Sequence, residues 1–432
     1  MNYQYTYKKN LDILFRIFVL IIILVTYRFG TYITIPGVNY IILKEMLNNY
    51  QKTVLGMINI LTGGSISRMS LFSLNIIPYI TSSIIINLYY SLCKKFFSYN
   101  NMKISSNQIN KYSKYLTFIV SVFQSYFLTI NLEFLSYNNL PLVKNPGYLF
   151  RIIGMFSLIA GSFIVIWLSE KIDNLNVGNG TSIIIFSNIV SGIFSSFYSI
   201  FEITRNNFKI FFFIIIYIII TSLLVIFVEK SYKKIIINYP KQQIGKKSFN
   251  NRIVYMPIKI NVSGVMPAIF AHSVLLIPKS FTVFLSGNSI YIQKFIFTYL
   301  HQGKILFLLL YMLLIILFCF FYSNIALNLK EITYNFRKHG AIIPGRRPGL
   351  NTFKFLKKVL KKLNIIGAIY ITFICIFPEF ITLYYNIPIY LGGTSVLIVI
   401  SVFLDFIKNI KSLLIYKKYS NLYHKNNIME GN

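Results

Sequence analysis

Residues 209–234 read KIFFFIIIYIIITSLLVIFVEKSYKK, in which an almost unbroken apolar run is followed directly by lysines. An α-helix rises about 1.5 Å per residue, so roughly twenty apolar residues cross the hydrocarbon core of a bilayer. Lysine and arginine accumulate in the loops on the cytoplasmic side of a membrane. The stretch therefore predicts a membrane-spanning helix and also the side of the membrane at which this helix ends.

Comparable apolar stretches recur along the 432 residues, of which 55% are hydrophobic and 12% are charged. This composition exceeds what the surface of a soluble globular protein tolerates, so we predict an all-α integral membrane protein. The first apolar stretch follows two lysines, like a signal peptide, but it continues without a small-residue cleavage site and is interpreted as a span. Ten transmembrane helices are predicted, at residues 12–35, 72–92, 115–134, 148–169, 181–200, 209–228, 262–286, 305–327, 363–383 and 393–415.

Basic residues are concentrated in every second loop. The connections 94–114, 229–259 and 330–362 carry an excess of lysine and arginine, whereas the connections between them are neutral or mixed. We therefore expect the basic loops on the cytoplasmic side and, with an even number of spans, both termini there too. Orientation and anionic lipids explain most of the formal net charge of +32, although ribosomal RNA stays open as a partner. The longest polar connection is too short to bury a core of its own, so no soluble domain is expected.

One segment, 54–67 (VLGMINILTGGSIS), is apolar but too short to cross a bilayer. Non-helical backbone at membrane depth is tolerated only where it is buried in protein or lines a cavity. A re-entrant half-helix broken at Gly63 and Gly64 would therefore imply a cavity to fill. The alternative is an amphipathic helix that lies on the outer face of the membrane.

Several motifs resemble those of the SecY family of protein-conducting channels. The most specific is 178–186 (GNGTSIIIF), which opens the fifth span and is very similar to the family's GNGxSxIIF motif. The others follow in the family's order and spacing, so the resemblance covers nearly the whole chain. They are Pro36-Gly37, Gly63-Gly64, Ser67-Arg68, Ile77-Pro78-Tyr79-Ile80, Trp167-Leu168 with Glu170, Pro257 with Lys259 and Asn261, 264–271 (GVMPAIFA), 343–349 (IPGRRPG), Phe377-Pro378-Glu379 and 392–395 (GGTS).

The resemblance implies a channel of two inverted five-helix halves, 1–203 and 204–432, that conducts unfolded preproteins across the bilayer. It also implies a lateral gate, between the second and third spans on one side and the seventh and eighth on the other, through which membrane segments enter lipid. Segment 54–67 would be the re-entrant plug. Four polar residues of the second span would either bond across this gate or make ordinary interhelical contacts, namely Thr81, Ser82, Ser83 and Asn87.

By the family's pattern, a ring of apolar side chains closes the pore. Branched aliphatic groups offer an ion no ligands to replace its hydration shell, although an isoleucine in an apolar span is ordinarily only a packing residue. Thr181 departs from the family's usual aliphatic residue, and its hydroxyl would recruit water or its methyl group would close the gap. Asn75 replaces a small residue and is expected to bond to a neighbouring helix. The ring consists of Ile76, Ile80, Thr181, Ile185, Ile269 and Ile398.

The two long basic loops, about 229–260 and 328–362, match the loops with which the family docks the ribosome or the motor ATPase SecA. The planar guanidinium of arginine suits carboxylate or phosphate groups. The alternative role for these charges is to mark topology. The matching residues are Lys246 and Lys247 in the first loop and Arg346 and Arg347 in the second. The resemblance further implies small SecE-like and SecG-like membrane subunits, a SecA-like motor, the ribosome, preprotein signal sequences and anionic lipids as partners.

Enzymatic signatures are absent from the sequence, which has no GxxxxGK[ST] phosphate loop and no HExxH, and its four histidines are scattered. We therefore expect no catalytic residue, metal site or cofactor, and the chain is not predicted to be an enzyme. A secondary transporter would place ionisable residues near the centres of the spans, which contain almost none. An intramembrane protease would need paired acids or a Ser/His pair. The expected location is a bacterial cell inner membrane, with an organellar membrane of bacterial descent as the alternative.

Overall fold

A computed structural model describes residues 2–39, 42, 68–96, 106–134, 136–137, 140–203, 208–239, 242–244, 247–249, 252–284, 304–385 and 392–429. Within these residues the chain is mostly helical. It contains ten helices of 19 residues or more and one shorter helix. They are α1 Asn2–Gly30, α2 Ile77–Phe96, α3 Ser106–Phe134, α4 Tyr148–Asn174, α5 Gly180–Ile203, α6 Phe208–Lys230, α7 Met266–Phe284, α8 Ile305–Ala326, the short α9 Leu329–Lys338, α10 Leu350–Tyr385 and α11 Gly393–Met429.

Each of the ten predicted spans overlaps one of the ten long helices. Six apolar helical stretches of the described residues are long enough to cross a bilayer, and two shorter ones cover 180–193 and 266–275. The chain is therefore a multi-pass membrane protein. The six stretches are Ile13–Gly30, Gln108–Glu133, Tyr148–Asn174, Phe211–Lys230, Ile305–Lys338 and Leu350–Ile381.

Two helix boundaries in the first half were predicted wrongly, for a shared reason. Helix α1 ends at Gly30 instead of 35, and α2 begins at Ile77 instead of 72. Between them, Thr34 and Ser70 pair as a short antiparallel bridge, and Ile35 donates its amide proton to the Met69 carbonyl at 2.9 Å. These apolar residues satisfy their backbone groups against each other and not within a helix, which hydrophobicity alone does not reveal.

In the second half, the last two spans were predicted shorter than the helices that contain them. Helix α10 begins at Leu350, 13 positions before the predicted 363, and α11 continues to Met429. The first part of α10 is amphipathic, with buried Leu356, Leu360 and Leu363 at helical spacing and exposed lysines between them. A search for continuous apolar runs does not detect such a segment, because its apolar residues cover only one face.

The prediction of an all-α protein was also incomplete, because antiparallel strands follow α6. Strand β3 (Tyr232–Tyr239) pairs with β6 (Arg252–Lys259) along its whole length, and β4 (Gln242–Ile244) pairs with β5 (Lys247–Phe249). A third, minimal pair joins β1 (Ser136–Tyr137) to β2 (Leu140–Pro141). In β3, Ile235 and Ile237 are buried while Ile236 is exposed, which is the period of two expected for a strand with one covered face.

The β3–β6 hairpin packs against the other long loop. Asn238 and Ile342 exchange two backbone hydrogen bonds of 2.8 and 2.9 Å, which tie the hairpin to the segment after α9. Beside this bridge lies a group of buried apolar residues that we call the loop cluster. Neither loop buries a core alone, as expected, but the two loops and the start of α10 bury one together. The loop cluster consists of Ile235, Ile258, Leu329, Ile343, Leu356, Leu360 and Leu363.

Most contacts between the long helices recur in the two parts of the chain, although α6 contacts α11 closely while α1 and α5 make at most a minor contact. In the first half α2 contacts α3, α3 contacts α4, α4 contacts α5, and α1 contacts α4. In the second half α7 contacts α8, α8 contacts α10, and α10 contacts α11. Tyr217 of α6 stacks on Phe377 of α10 with ring centroids 5.1 Å apart. Contacts between the two sets join α5 to α11, and α2 and α3 to α7.

Candidate functional site

The middle of the described structure is one large apolar cluster, here called the central cluster, to which every long helix except α3 contributes. Ile76 and Ile80 belong to it, with relative exposures of 1% and 8%, and the half-buried Ile185 and Ile269 pack against it. Four of the six residues predicted for the pore ring therefore meet at one cluster, although they come from three separate parts of the chain.

The other two predicted ring residues lie outside the central cluster. Ile398 is buried at 4% exposure, and its neighbour Leu397 belongs to the cluster while Ile398 does not. Thr181 is half-buried, and its hydroxyl donates to Asn179 Oδ1 at 2.7 Å. This hydroxyl therefore has a partner within its own turn of chain, a possibility that neither expectation for Thr181 included.

The segment before α2 is a tight turn and not part of the helix. Asn75 adopts φ +53°, in the left-handed region that asparagine tolerates better than most residues. Its Oδ1 accepts the amide proton of Ile76 at 2.8 Å and lies 3.2 Å from the hydroxyl of Tyr27 on α1. Asn75 thus bonds to a neighbouring helix, as expected, and it also fixes the backbone of the adjoining ring residue.

The GNG motif joins the end of α4 to the start of α5. The Gly180 amide donates to Asp173 Oδ1 at 2.7 Å, and Asn179 Oδ1 accepts the Thr181 amide proton at 3.2 Å, so both residues cap the first turn of α5. A Cβ at Gly180 would lie 2.0 Å from the Ser169 carbonyl oxygen, and one at Gly178 would lie 2.8 Å from Ile183 Cδ1. The motif therefore requires glycine at position 180 for close helix approach and asparagine at position 179 for capping, whereas at position 178 the flexible end of Ile183 could move.

The start of α11 also requires glycine for close helix approach. A Cβ at Gly393 would lie 1.7 Å from the carbonyl oxygen of Ile374 on α10. The Ser395 hydroxyl and the amides of Ser395 and Val396 all donate to the Gly392 carbonyl. The GGTS motif thus lets α11 begin directly against α10, which brings Leu397 into the central cluster and buries Ile398 beside it.

A polar network anchors the start of α7. The side-chain amide of Asn261 donates to Glu229 Oε1 at 2.7 Å and to the Gly264 carbonyl at 3.1 Å. Lys259 Nζ lies 3.8 Å from Glu229 Oε2 and 3.4 Å from Asp405 Oδ1 of α11. This network connects the ends of α6 and β6 to α7 and α11, which explains the PxKxN spacing. Glu229 was not predicted as a site residue, although an acid at the end of an apolar span was a readable signal.

The second basic loop presents its arginines on a glycine-defined turn. Gly345 and Gly349 have φ of +74° and +109°, values that side chains other than glycine rarely adopt. The Arg346 guanidinium lies over the ring of Phe355 at 5.2 Å, whereas Arg347 is exposed. Arg347 lines an open depression of about 500 Å³, whose other walls are Arg337, Pro348, Gly349, Leu350 and Asn351. Such a depression can accept an anionic group.

Some predicted site residues lie outside the described part of the chain. These are segment 54–67, which includes Gly63 and Gly64 of the expected plug, and Lys246 of the expected docking pair. Lys247 begins β5, and only its backbone is described.

Three of the four polar residues at the expected lateral gate bond within their own helix. The hydroxyls of Thr81 and Ser82 donate to the Pro78 carbonyl at 3.0 and 2.7 Å, and that of Ser83 donates to the Ile80 carbonyl at 2.9 Å. Among the described residues, none of these three hydroxyls donates a hydrogen bond across the seam. Since α2 and α3 do contact α7, the described contacts across this seam are made by helix packing and not by these hydroxyls.

Comparison with known proteins assigns the family. A sequence model of the SecY family matches residues 70–407. The protein translocase subunit SecY of Rickettsia bellii is 40% identical over 432 residues, which cover 98% of this chain and 99% of the relative. A solved protein-conducting channel has a TM-score of 0.65 at 18% identity, covering 92% of this chain and 91% of that one. Sec61 in the canine ribosome-channel complex has a TM-score of 0.61 at 17% identity, with the same coverage of both chains.

At such identities the solved structures show likeness of fold alone. The sequence relative goes further because it extends over nearly the whole chain, and the family match covers more than three quarters of it. On this evidence the chain belongs to the SecY family.

Proposed function

We propose that this chain is the central channel subunit of a Sec protein translocase, which conducts unfolded preproteins across a bilayer and passes apolar segments into it. The observation that carries the proposal is the meeting of Ile76, Ile80, Ile185 and Ile269 at the central cluster, from helices of both halves of a SecY-family chain. The channel itself is passive, so the energy for translocation comes from a partner.

The proposed architecture has ten transmembrane helices in two inverted halves, 1–203 and 204–432, with segment 54–67 as a re-entrant plug. The repeated helix contacts support this arrangement. The pairs α2–α3, α3–α4 and α4–α5 correspond to α7–α8, α8–α10 and α10–α11, and the α1–α4 pair corresponds to the stack of Tyr217 on Phe377 between α6 and α10. Inverted halves commonly place the functional pathway at their interface.

The proposed seal is a ring of Ile76, Ile80, Thr181, Ile185, Ile269 and Ile398. Narrow apolar constrictions lose their water easily and give an ion nothing with which to replace its hydration shell. Branched side chains can also rearrange around a passing peptide, because they change rotamer more easily than a backbone segment changes its path. A ring of this kind holds back ions at rest and still admits an extended chain.

The proposed lateral gate lies where α2 and α3 meet α7, with α8 behind it. Apolar residues in a segment favour lipid by a few tenths of a kcal/mol each, whereas a central charge costs roughly 2.5–3.5 kcal/mol. A seam that opens allows each passing segment to partition according to these energies. The absence of described side-chain hydrogen bonds from Thr81, Ser82 and Ser83 across the seam favours easy separation.

We propose the surface beside the loop cluster as the docking site for the partner that supplies energy, a SecA-like motor or the ribosome. Arg347 and Arg337 line the depression there, and Arg346 stacks on Phe355. The proposed docking residues Lys246 and Lys247 belong to the first loop, and strand β3 of this loop is joined to the second loop through the bridge between Asn238 and Ile342. SecE-like and SecG-like subunits, signal sequences and anionic lipids are the further proposed partners.

The proposed location is a bacterial cell inner membrane, with both termini and the basic loops in the cytoplasm. The charge distribution supports this orientation. The loop between α8 and α10 is rich in basic residues, whereas the loop between α3 and α4 has Lys144 as its single charged residue and is flanked by the ion pair of Glu133 on α3 with Arg151 on α4. Attraction of the basic side to anionic lipid headgroups acts in the same direction.

Site-specific photocrosslinking tests the proposed function. A photoreactive amino acid at Ile185, in a cell that depends on this chain for export, should crosslink to a preprotein stalled during translocation. The control position is Ile220 of α6, which is 57% exposed and should crosslink to lipid only. Crosslinks to the preprotein from both positions, or from neither, would remove the channel assignment.

A further inference from the structure

The backbone before α2 is held tightly between two helices. A Cβ at Gly161 of α4 would lie 2.0 Å from the Leu71 carbonyl oxygen, so the segment 71–76 lies directly on α4. The ring of Phe72 stacks on Tyr27 of α1, with centroids 5.7 Å apart and planes 10° apart. Ile76, the first of the proposed ring residues, is the last residue of this segment.

Three buried polar side chains lie close together beside this segment. Tyr27, Asn75 and Asn188 are 0%, 3% and 0% exposed and come from α1, the turn before α2, and α5. The Tyr27 hydroxyl lies 2.7 Å from Asn188 Oδ1 and 3.2 Å from Asn75 Oδ1. An uncompensated polar group in such surroundings is costly, so these three residues depend on one another.

The number of available protons limits how these three side chains can be hydrogen-bonded at the same time. The Tyr27 hydroxyl has one proton and can donate to only one of the two Oδ1 atoms, and Asn188 Nδ2 is buried without a partner among the described residues. Turning the Asn188 amide by 180° lets its Nδ2 donate to the Tyr27 oxygen. Tyr27 then donates to Asn75 Oδ1, which also accepts the Ile76 amide proton. The Tyr27 hydroxyl, Asn75 Oδ1, Asn188 Nδ2 and the Ile76 amide are then joined in one chain of hydrogen bonds, while Asn188 Oδ1 takes the position at which Nδ2 had no partner among the described residues.

This chain of bonds ends at the proposed ring. Asn75 Oδ1 holds the Ile76 amide, and the Ile76 carbonyl accepts the amide protons of Tyr79 and Ile80, each at 3.1 Å. On α5, Asn188 lies three residues after Ile185, close to one helical turn. The same side chains therefore connect the backbone at Ile76 to the helix that carries Ile185.

We propose that Tyr27, Asn75 and Asn188 form a buried clamp that holds Ile76 and Ile185 in the closed arrangement of the ring, and that these three are positioning residues for the seal. The inference rests on the proposed channel function. When the ring widens around a peptide, α5 and the turn before α2 separate and water can reach the two asparagines. The clamp therefore stabilises the closed state more than the open state.

Variants of Tyr27 and Asn75 test the clamp. The variant Tyr27→Phe keeps the stack on Phe72 and removes only the hydroxyl, whereas Asn75→Gly keeps a residue that tolerates φ +53° and removes the whole side chain together with the Oδ1 acceptor. Each variant should raise the ion conductance of the resting channel in planar bilayers about tenfold, which corresponds to about 1.4 kcal/mol. Export of a precursor with a defective signal sequence should rise relative to that of the intact precursor. The double variant should do no more than either single variant, because all three disrupt the same chain of bonds.

Tyr217→Phe is the matched control. The Tyr217 hydroxyl is buried without a described hydrogen-bond partner, and its ring stacks on Phe377, with both residues in the proposed second half. This variant should leave conductance and precursor selectivity unchanged. Native conductance in both clamp variants would overturn the proposal, as would additive effects in the double variant. A lowered unfolding temperature without any change in conductance or selectivity would mean that the three residues stabilise the fold and do not position the seal. In each of these outcomes the native chain still exports preproteins. Failure of the clamp proposal can therefore be distinguished from failure of the channel assignment, in which the native chain would not conduct preproteins.

Discussion

Ile185 is a half-buried residue on α5 that packs against the central cluster, and the chemistry of its side chain is what the proposed seal depends on. Replacing Ile185 by serine introduces a hydroxyl that can hold water in the constriction and removes branched apolar volume. We expect a severalfold rise in ion leak through the resting channel, measured in planar bilayers. Ile220→Ser, on the exposed face of α6, should not leak. Unchanged conductance in Ile185→Ser would mean that this side chain does not line the pore.

Gly393 shows how one missing side chain sets the distance between two helices. Gly393→Ala would place a methyl group 1.7 Å from the Ile374 carbonyl oxygen, so α11 must move away from α10. Forced overpacking of this kind costs about 1–3 kcal/mol, and we expect a lower unfolding temperature of the purified protein in detergent. Gly367→Ala is the control, because its Cβ would meet the Ile260 carbonyl oxygen at an ordinary 3.4 Å. Equal unfolding temperatures for both variants would contradict the close approach.

The residues that shape the proposed site differ in how far the sequence alone predicts their roles. The GNG and GGTS motifs were recognised by resemblance, and the structure adds the reason for their glycines, a close approach to Ser169 and Ile374. The left-handed φ of Asn75 and its bonds to Tyr27 and Ile76 were not readable, because they depend on helices that meet only after folding. Asn188 gave no signal in the sequence apart from being an asparagine inside an apolar span.

At the scale of elements, the two basic loops act as one unit. Their shared loop cluster and the bridge between Asn238 and Ile342 hold the β3–β6 hairpin, α9 and the start of α10 together. The strands were not readable from periodicity, because Ile235, Ile236 and Ile237 are consecutive apolar residues that only burial distinguishes. The shared core was not readable either, because it combines residues about a hundred positions apart, such as Ile235 and Ile343.

Arg347 is the residue through which this unit is proposed to meet its energy source. Arg347→Glu reverses a charge that is exposed on a glycine-defined turn, so folding should be unaffected while motor-driven export is abolished. The measurement is preprotein uptake into inverted membrane vesicles with a SecA-like ATPase. Lys354→Glu makes the same charge change at an exposed position early in α10 and should retain export. If both variants lose export equally, the charges mark topology or attract lipid in general, and Arg347 has no docking role of its own.

At the scale of the whole molecule, the number of long helices was predictable because each is an apolar run, while their arrangement was not. The contacts within the two proposed halves, such as α1 with α4 and Tyr217 with Phe377, join residues far apart in sequence and leave no local pattern. The seam between the halves is likewise defined by packing of α2 and α3 on α7. Resemblance to a family supplied what periodicity and composition could not.

The orientation of the whole molecule follows from charge and can be measured directly. Asn145, in the loop between α3 and α4, and Lys354, in α10 beside the loop cluster, are both exposed and lie on opposite sides of the membrane in the proposed topology. Cys319 and Cys375 are buried and should not react, so single cysteines can be introduced once Cys93 is replaced by serine. A membrane-impermeant maleimide added to intact cells should then label Asn145→Cys, whereas Lys354→Cys should react only after the membrane is permeabilised. The reverse order would invert the topology. Labelling of both positions in intact cells would mean that α4 through α8 do not cross the membrane an odd number of times, which would break the inverted pairing of the two halves.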